Sequence, residues 1–310
     1  MEQRELGKTG LSIYPISLGA SSLGGGVFGP VDELEAVRTV HLALDLGVQL
    51  IDVSPFYGAT RAEAVLGKAL RDIPRDRYIL ATKVGRYGDT EFDFSAERSR
   101  QSVEESLGRL GVDYIDLIQA HDVEYGDLHQ IETETIPALH EIVREGKARF
   151  VGVTGYPLKA LRALTKDADV DAVLSYNHYS LNDTTLQSSL ADFQAKNLGI
   201  INAAPLSQGL LNDSGTPSWH PAPANIKALC AATAKFVRDR GSCLSKLAIQ
   251  FSTQNPAIAT TLIGTAIPAE LARNLRWADE PIDEELLHAV QERLASVKDI
   301  TWTTGRPENN

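Results

Sequence analysis

The sequence predicts an α/β fold, a (β/α)8 barrel with an N-terminal β-hairpin as a plug. Three observations predict it. Short all-apolar runs alternate with stretches of helical period, eight such runs can be counted, and no shift of composition divides the chain. Runs apolar on both faces are those of a parallel sheet covered by helices, and eight βα units are the number that closes a barrel. With 310 residues and 43% hydrophobic side chains the chain can bury that core as one domain over 1–310.

In chain order, "RELGKTGLSIYP" sets two short apolar pieces around Gly-Lys-Thr-Gly, a hairpin signal ahead of the first run. The runs then follow at 15–20, 50–54, 78–83, 114–121, 150–155, 172–177, 199–204 and 260–264. Helical patterns lie between them, among them 32–47, 95–111 and 134–147. The second opens on Ser95 with Arg98 three positions on, half of a capping box, and Gly111 supplies its stop. "LNDSGTPSWHPAPAN" (211–225), rich in Pro, Gly and Ser, reads as an enlarged loop after the seventh run, on the catalytic face. "GGGVFG" (24–29) satisfies the dinucleotide spacing G-x-G-x-x-G, but Pro30 and the expected N-cap Asp32 start the helix beyond it, so a mobile glycine loop over the mouth is the better reading.

Forty-one acids against thirty bases leave a net charge of −11 without a basic run, which argues against nucleic acid. No apolar stretch is long enough to span a bilayer, and the charged N-terminus lacks a signal-peptide core, so no membrane partner and a cytoplasmic location are expected. Cys230 and Cys243 match neither a disulfide framework nor a metal spacing and read as reduced packing residues. The histidines form no ligand cluster, and no metal is expected. Oligomeric state is open between monomer and homodimer.

In a barrel the C-terminal strand ends converge on one mouth. Asp52 ends the second run, Tyr57 follows on its loop, Lys83 ends the third in "ILATKVG" and His121 the fourth in "DLIQAHD". An acid, a phenol, an ammonium and an imidazole at one mouth suit proton transfer coupled to hydride transfer. A phenol with an ordinary pKa near 10 needs a neighbouring cation to favour phenolate, and a buried lysine needs a carboxylate to stay charged. Asp52 is thus expected to hold Lys83, Lys83 to lower Tyr57, and His121 to orient the substrate oxygen.

"IDVSPFYG", "ILATKVG" and "DLIQAHD" after "LGKTGLSIYPISLGAS" resemble the aldo-keto reductase superfamily, whose Asp/Tyr/Lys/His tetrad maps onto Asp52, Tyr57, Lys83 and His121. Within it, "FDFSAERSRQSVEESLGRLGVDYIDL", "LSYNHYSLND", "PSWHPAP" and "ITWTTG" resemble the L-galactose dehydrogenases and aldose 1-dehydrogenases. The resemblance implies oxidation of an aldose at C1 to its lactone, with L-galactose favoured, L-fucose, D-threo-aldoses or D-arabinose as rivals, and general carbonyl reduction as the broader alternative. It also implies a nicotinamide site from Gly19, Ser21, Asp52, Thr154, Tyr176, Leu206, Gln208, Gly209, Ile263, Gly264, Glu270 and Asn274. Gly264 stands where NADP-dependent members carry a lysine and Glu270 where they carry an arginine, which favours NAD, with NADP possible through Arg273 or Arg276. Thr154-Gly155 replaces the usual Ser-Asn pair, and Ala203 the usual stacking ring. Tyr57, Tyr87, His121, Tyr125, Trp219 and His220 are the residues expected to line the substrate pocket. A metal-dependent sugar isomerase would need more carboxylates and histidines at strand ends than Asp52 and His121, and a redox-sensing nicotinamide-binding subunit would have no need of Lys83 beside Tyr57.

Overall fold

The computed structural model describes residues 1–26 and 29–310; Val27 and Phe28, inside the 24–29 glycine segment, lie outside the described residues. A short antiparallel hairpin, β1 (Arg4–Glu5) and β2 (Ser12–Ile13), precedes a closed parallel barrel of β3 (Ile16–Gly19), β4 (Leu50–Asp52), β5 (Ile79–Val84), β6 (Ile115–Ala120), β7 (Ala148–Gly155), β8 (Ala172–Tyr176), β9 (Gly199–Ala203) and β10 (Thr260–Gly264). β10 pairs with β3 to close the ring. Each apolar run expected to be a strand is one, because a strand covered on one side by helices and filled on the other has no polar face to show.

The helices are α1 (Glu33–Asp45), α2 (Arg61–Leu70), α3 (Ala96–Leu110), α4 (Leu128–Gln130), α5 (Ile136–Arg144), α6 (Leu158–Asp167), α7 (Gln187–Ala195), α8 (Ala224–Arg238), α9 (Leu244–Gln254), α10 (Pro268–Asp279) and α11 (Glu284–Leu294). The Asp32 carboxylate caps α1, accepting from Leu34 N and Glu35 N at 2.8 and 3.1 Å. Ser95 Oγ accepts Arg98 N at 3.2 Å, and Gly111 ends α3 with φ 68°. The helix expected over 134–147 begins earlier, at Leu128, and passes through a π turn, Ile131–Thr135, before α5. Pro137 accounts for the turn, since its ring has no N–H and crowds the carbonyl one turn back.

Leu6, Leu11 and Ile13 of the hairpin pack with Leu50, Ala81, Leu117, Leu174, Ile201 and Leu262 in the barrel interior. Lys8 N donates to Asn197 O at 2.7 Å, pinning the hairpin to the chain entering β9. The plug closes the N-terminal end, so polar side chains at the C-terminal strand ends face the remaining opening. Among the described residues no helix is long and apolar enough to cross a membrane, and no three His, Cys, Asp or Glu gather as metal ligands.

Candidate active site

Asp52, Tyr57, Lys83 and His121 meet at that opening. Asp52 is the last residue of β4, Lys83 the fifth of six in β5, and His121 follows β6 directly. Tyr57 is carried by a loop held close to the one after β3, because neither glycine at the crossing has a side chain. A Cβ on Gly24 would stand 2.9 Å from Tyr57 O, and one on Gly58 would stand 2.5 Å from Gly24 O. The residues after Tyr57, Gly58, Ala59 and Thr60, all take left-handed φ (60°, 52° and 73°), a strained path for alanine and threonine of the kind stored at functional sites.

The Lys83 ammonium uses all three of its hydrogens. It donates to Asp52 Oδ1 at 2.5 Å, Val53 O at 2.8 Å and Tyr57 Oη at 3.3 Å. The phenolic oxygen is therefore an acceptor from lysine, and its own hydrogen is free to point elsewhere. Burial by itself pushes Lys83 down, but the charges of Asp52 and Tyr57 outweigh it and hold the ammonium above its ordinary pKa. Tyr57 departs from expectation. Burial raises it more than Lys83 lowers it, with Asp52 and Asp122 adding to the rise, so the phenol lies above its usual range in this state. Burial, then Lys83 and Arg86, push His121 well below the usual imidazole value, and it is neutral near pH 7. The His121 and Tyr57 rings meet edge to face, centroids 5.6 Å apart.

Around β10 and the loop after β9 the structure offers bare backbone. Gly19 and Gly264 pair at the ends of β3 and β10, and Gly264 is exposed in a strand otherwise buried. A Cβ on Gly264 would meet Ser22 Oγ at 3.3 Å and Ser21 Oγ at 3.6 Å, so two hydroxyls and two glycines form a cradle that a side chain would fill. After β9, Ser207 and Gln208 both take left-handed φ and Gly209 follows at 98°. Such concavities suit phosphate oxygens. Within 205–211 the amides of Ser207, Gly209, Leu210 and Leu211 are engaged in turn hydrogen bonds, which leaves Leu206 and Gln208 as the better candidates for pyrophosphate. The Ile263 side chain packs on Ile16 and Ile249, so only its backbone can serve a ligand. Glu270 Oε2 accepts Thr265 Oγ1 at 2.8 Å in the first turn of α10, and Asn274 is buried one turn later.

Residues 15–295 match the Aldo/keto reductase family. The chain belongs to that family. The aldo/keto reductase is 43% identical to L-galactose dehydrogenase of Arabidopsis thaliana, the match covering 100% of this chain and 99% of the relative. It is 29% identical to D-threo-aldose 1-dehydrogenase of a Pseudomonas species, covering 87% and 90%. Its fold superposes on the holo form of an aldo-keto reductase from Bacillus halodurans with TM-score 0.80 at 25% identity, covering 97% and 98% of the two chains.

Other expected residues of this aldo/keto reductase are placed less uniformly. Thr154 Oγ1 accepts Asp122 N at 3.2 Å, and Tyr176 Oη donates to Glu124 Oε1 at 3.4 Å. The loss of the usual asparagine has a local cause, since a Cβ at Gly155 would stand 2.8 Å from Glu124 Oε2. Tyr125 stacks on Phe92 (centroids 4.3 Å), and Trp219 is 42% exposed on the loop after β9. Two residues expected in the substrate pocket are committed elsewhere. Tyr87 Oη accepts Gly85 N at 3.1 Å while Arg98 covers its ring. His220 donates from Nε2 to Ser207 O at 2.9 Å and accepts Ala222 N at Nδ1, so it props the loop after β9.

Four polar residues escaped sequence reasoning. Gln119 Nε2 donates to Asp52 Oδ2 at 2.9 Å, so each carboxylate oxygen has a side-chain donor. Ser54 Oγ lies 3.0 Å from His121 Nδ1 and also accepts Phe56 N. Both stand two residues from a tetrad member and so share its face, a period that could have found them. Arg86 and Asp122 pair at 2.5 Å just past the ends of β5 and β6. The chain's last residues wall this side: Arg306 N and Asn309 Nδ2 both donate to Glu124 O at 2.9 Å, and Trp302 stacks on Tyr156.

Proposed function

We propose that this aldo/keto reductase oxidises an aldopyranose of the L-galactose type at C1 to the aldonolactone, with NAD preferred over NADP. The observation that carries the reading is the Lys83 ammonium, bonded to Asp52 on one side and the Tyr57 phenol on the other, beside a neutral imidazole. The full-length similarity to L-galactose dehydrogenase supports the substrate, and the similarity to D-threo-aldose 1-dehydrogenase keeps L-fucose and its relatives as rivals.

Ser54 O–H donating to His121 Nδ1 leaves the proton on Nε2, which then donates to the anomeric oxygen and orients it. Tyr57 accepts the anomeric O–H proton as general base. Lys83 stabilises the phenolate from which Tyr57 acts, the neutral phenol being what the transfer leaves, and Asp52, held by Gln119, keeps Lys83 charged throughout. The nicotinamide, when bound, supplies the acceptor for the hydride from C1, which completes the two-electron oxidation to the lactone. Gly19, Ser21, Leu206, Gln208 and Gly264 would hold its phosphates and ribose, with Thr154 and Tyr176 toward the carboxamide. Glu270 repels a 2′-phosphate and can accept a ribose hydroxyl at Oε1, which lies 3.9 Å from Arg273 Nη2.

Initial rates of NADH and NADPH formation with L-galactose, L-fucose, D-arabinose and D-glucose test the reading. Fast NADH formation with L-galactose is the expected result. No reduction of either cofactor by any of the sugars would overturn it and direct attention to carbonyl reduction.

A further inference from the structure

We propose that the Asp122–Arg86 pair is a clamp for the hydroxyl group next to the reacting carbon, so that the enzyme requires a 2-hydroxy sugar. The inference rests on the aldose reading above and adds the group that selects within that class. Asp122 Oδ2 lies 3.7 Å from His121 Nε2 and 2.5 Å from Arg86 Nη1, so the carboxylate borders the nitrogen assigned to the anomeric oxygen. An oxygen held by His121 has two polar neighbours in a pyranose, the ring oxygen and the 2-hydroxyl. Only the hydroxyl carries a hydrogen, and a carboxylate only accepts.

Stability gives this pair little reason to exist. A buried ion pair roughly breaks even against apolar residues of the same volume, and Asp122 (3% exposed) is held in the left-handed region with φ 51°, a conformation that costs free energy. The placement is nonetheless rigid. Thr154 Oγ1 anchors the Asp122 amide. The Arg86 guanidinium lies 3.7 Å over the Phe56 ring, with Phe92 and Tyr125 at 5.4 and 5.5 Å, which fixes its plane. A charged acceptor locked beside the catalytic nitrogen, with its cation stacked in place, is what discrimination of one hydroxyl requires. A site built around a hydrogen bond rejects the analogue that lacks the group.

The test compares kcat/KM for L-galactose and 2-deoxy-L-galactose with NAD in the wild type, Asp122→Asn and Arg86→Met. Asparagine is at ease with the left-handed backbone, and NADH binding by fluorescence quenching checks that each variant is folded. The wild type should prefer L-galactose by at least about tenfold. Both variants should bring that ratio to within about threefold of one, chiefly through a raised KM for L-galactose. An unchanged ratio in Asp122→Asn, with both sugars slowed alike, would overturn the proposal and leave the pair as a support for His121. A wild type that oxidises neither sugar would instead refute the aldose reading, and the clamp with it.

Discussion

Asp52 and Asp116 sit at opposite ends of the barrel strands, 3% and 1% exposed, each joined to a cation. Asp116, near the start of β6, accepts from Arg75 at 2.6 Å, Arg149 at 2.8 Å and Leu80 N at 2.9 Å. By burial and pairing the two are alike. They differ in what the cation touches next. Arg75 donates next to the carbonyls of Tyr78 and Tyr114, which do not titrate, whereas Lys83 reaches the phenol of Tyr57. A buried carboxylate with a cation is a structural joint; it becomes machinery when the cation's next neighbour has a proton to move and an opening above it.

The largest effect that sharpens this contrast is expected from Tyr57→Phe. It should lower kcat by roughly 10²–10⁴ while melting temperature and NADH binding stay near wild type; retained turnover would move the base elsewhere. A third buried carboxyl, Glu124, extends the comparison because among the described residues no cation pairs with it. Burial, with Asp122 nearby, raises its pKa to about 8, while Tyr156 N, the Tyr176 hydroxyl and the Thr304 hydroxyl reach Oε1. Folded protein thus keeps a proton that the unfolded chain gives up near the ordinary value of about 4.5. Its contribution to stability is full below that value, declines as pH rises to about 8 and is level beyond. Glu124→Gln should abolish a decline on the order of 3 kcal/mol between pH 5 and pH 8, read as the pH dependence of the melting temperature; parallel wild-type and variant curves would show that Glu124 is charged in the fold.

Asp116→Ala should cost on the order of 2 kcal/mol, less than the ~3–5 of a fully buried pair because Arg149 is nearly half exposed. Denaturant melts would measure it, and kcat of the folded protein should not change; a loss of kcat would erase the distinction between the two ends. Glu270→Arg should strengthen NADP binding about tenfold, roughly 1.4 kcal/mol, and an unchanged affinity would place the cofactor choice outside α10.

The barrel was legible because strands such as Leu50–Asp52 and Thr260–Gly264 are buried on both faces, which leaves few charges along them before their ends. The tetrad positions were legible for a related reason: strand ends are the one place in a barrel where a buried-looking run can afford a charge. Legibility stopped where the path of a loop decides. Tyr87 and His220 have the composition of pocket residues, yet Gly85 and Ser207 claim their polar atoms through turns that no periodicity announces. The sign of the Tyr57 shift was hidden as well, because it compares one nearby charge with the depth of burial, and depth is not written in the residue types.

The plug has a consequence in time. Residue 8 is tied to residue 197, so the hairpin cannot be seated until the chain has been made as far as residue 197. At ribosomal rates of about 5–20 residues per second the N-terminus waits roughly 10–40 s for its partner, and a contact so distant in sequence is among the slow ones to form. The segment that plugs the barrel is thus made well before its partner and is among the last to find its place.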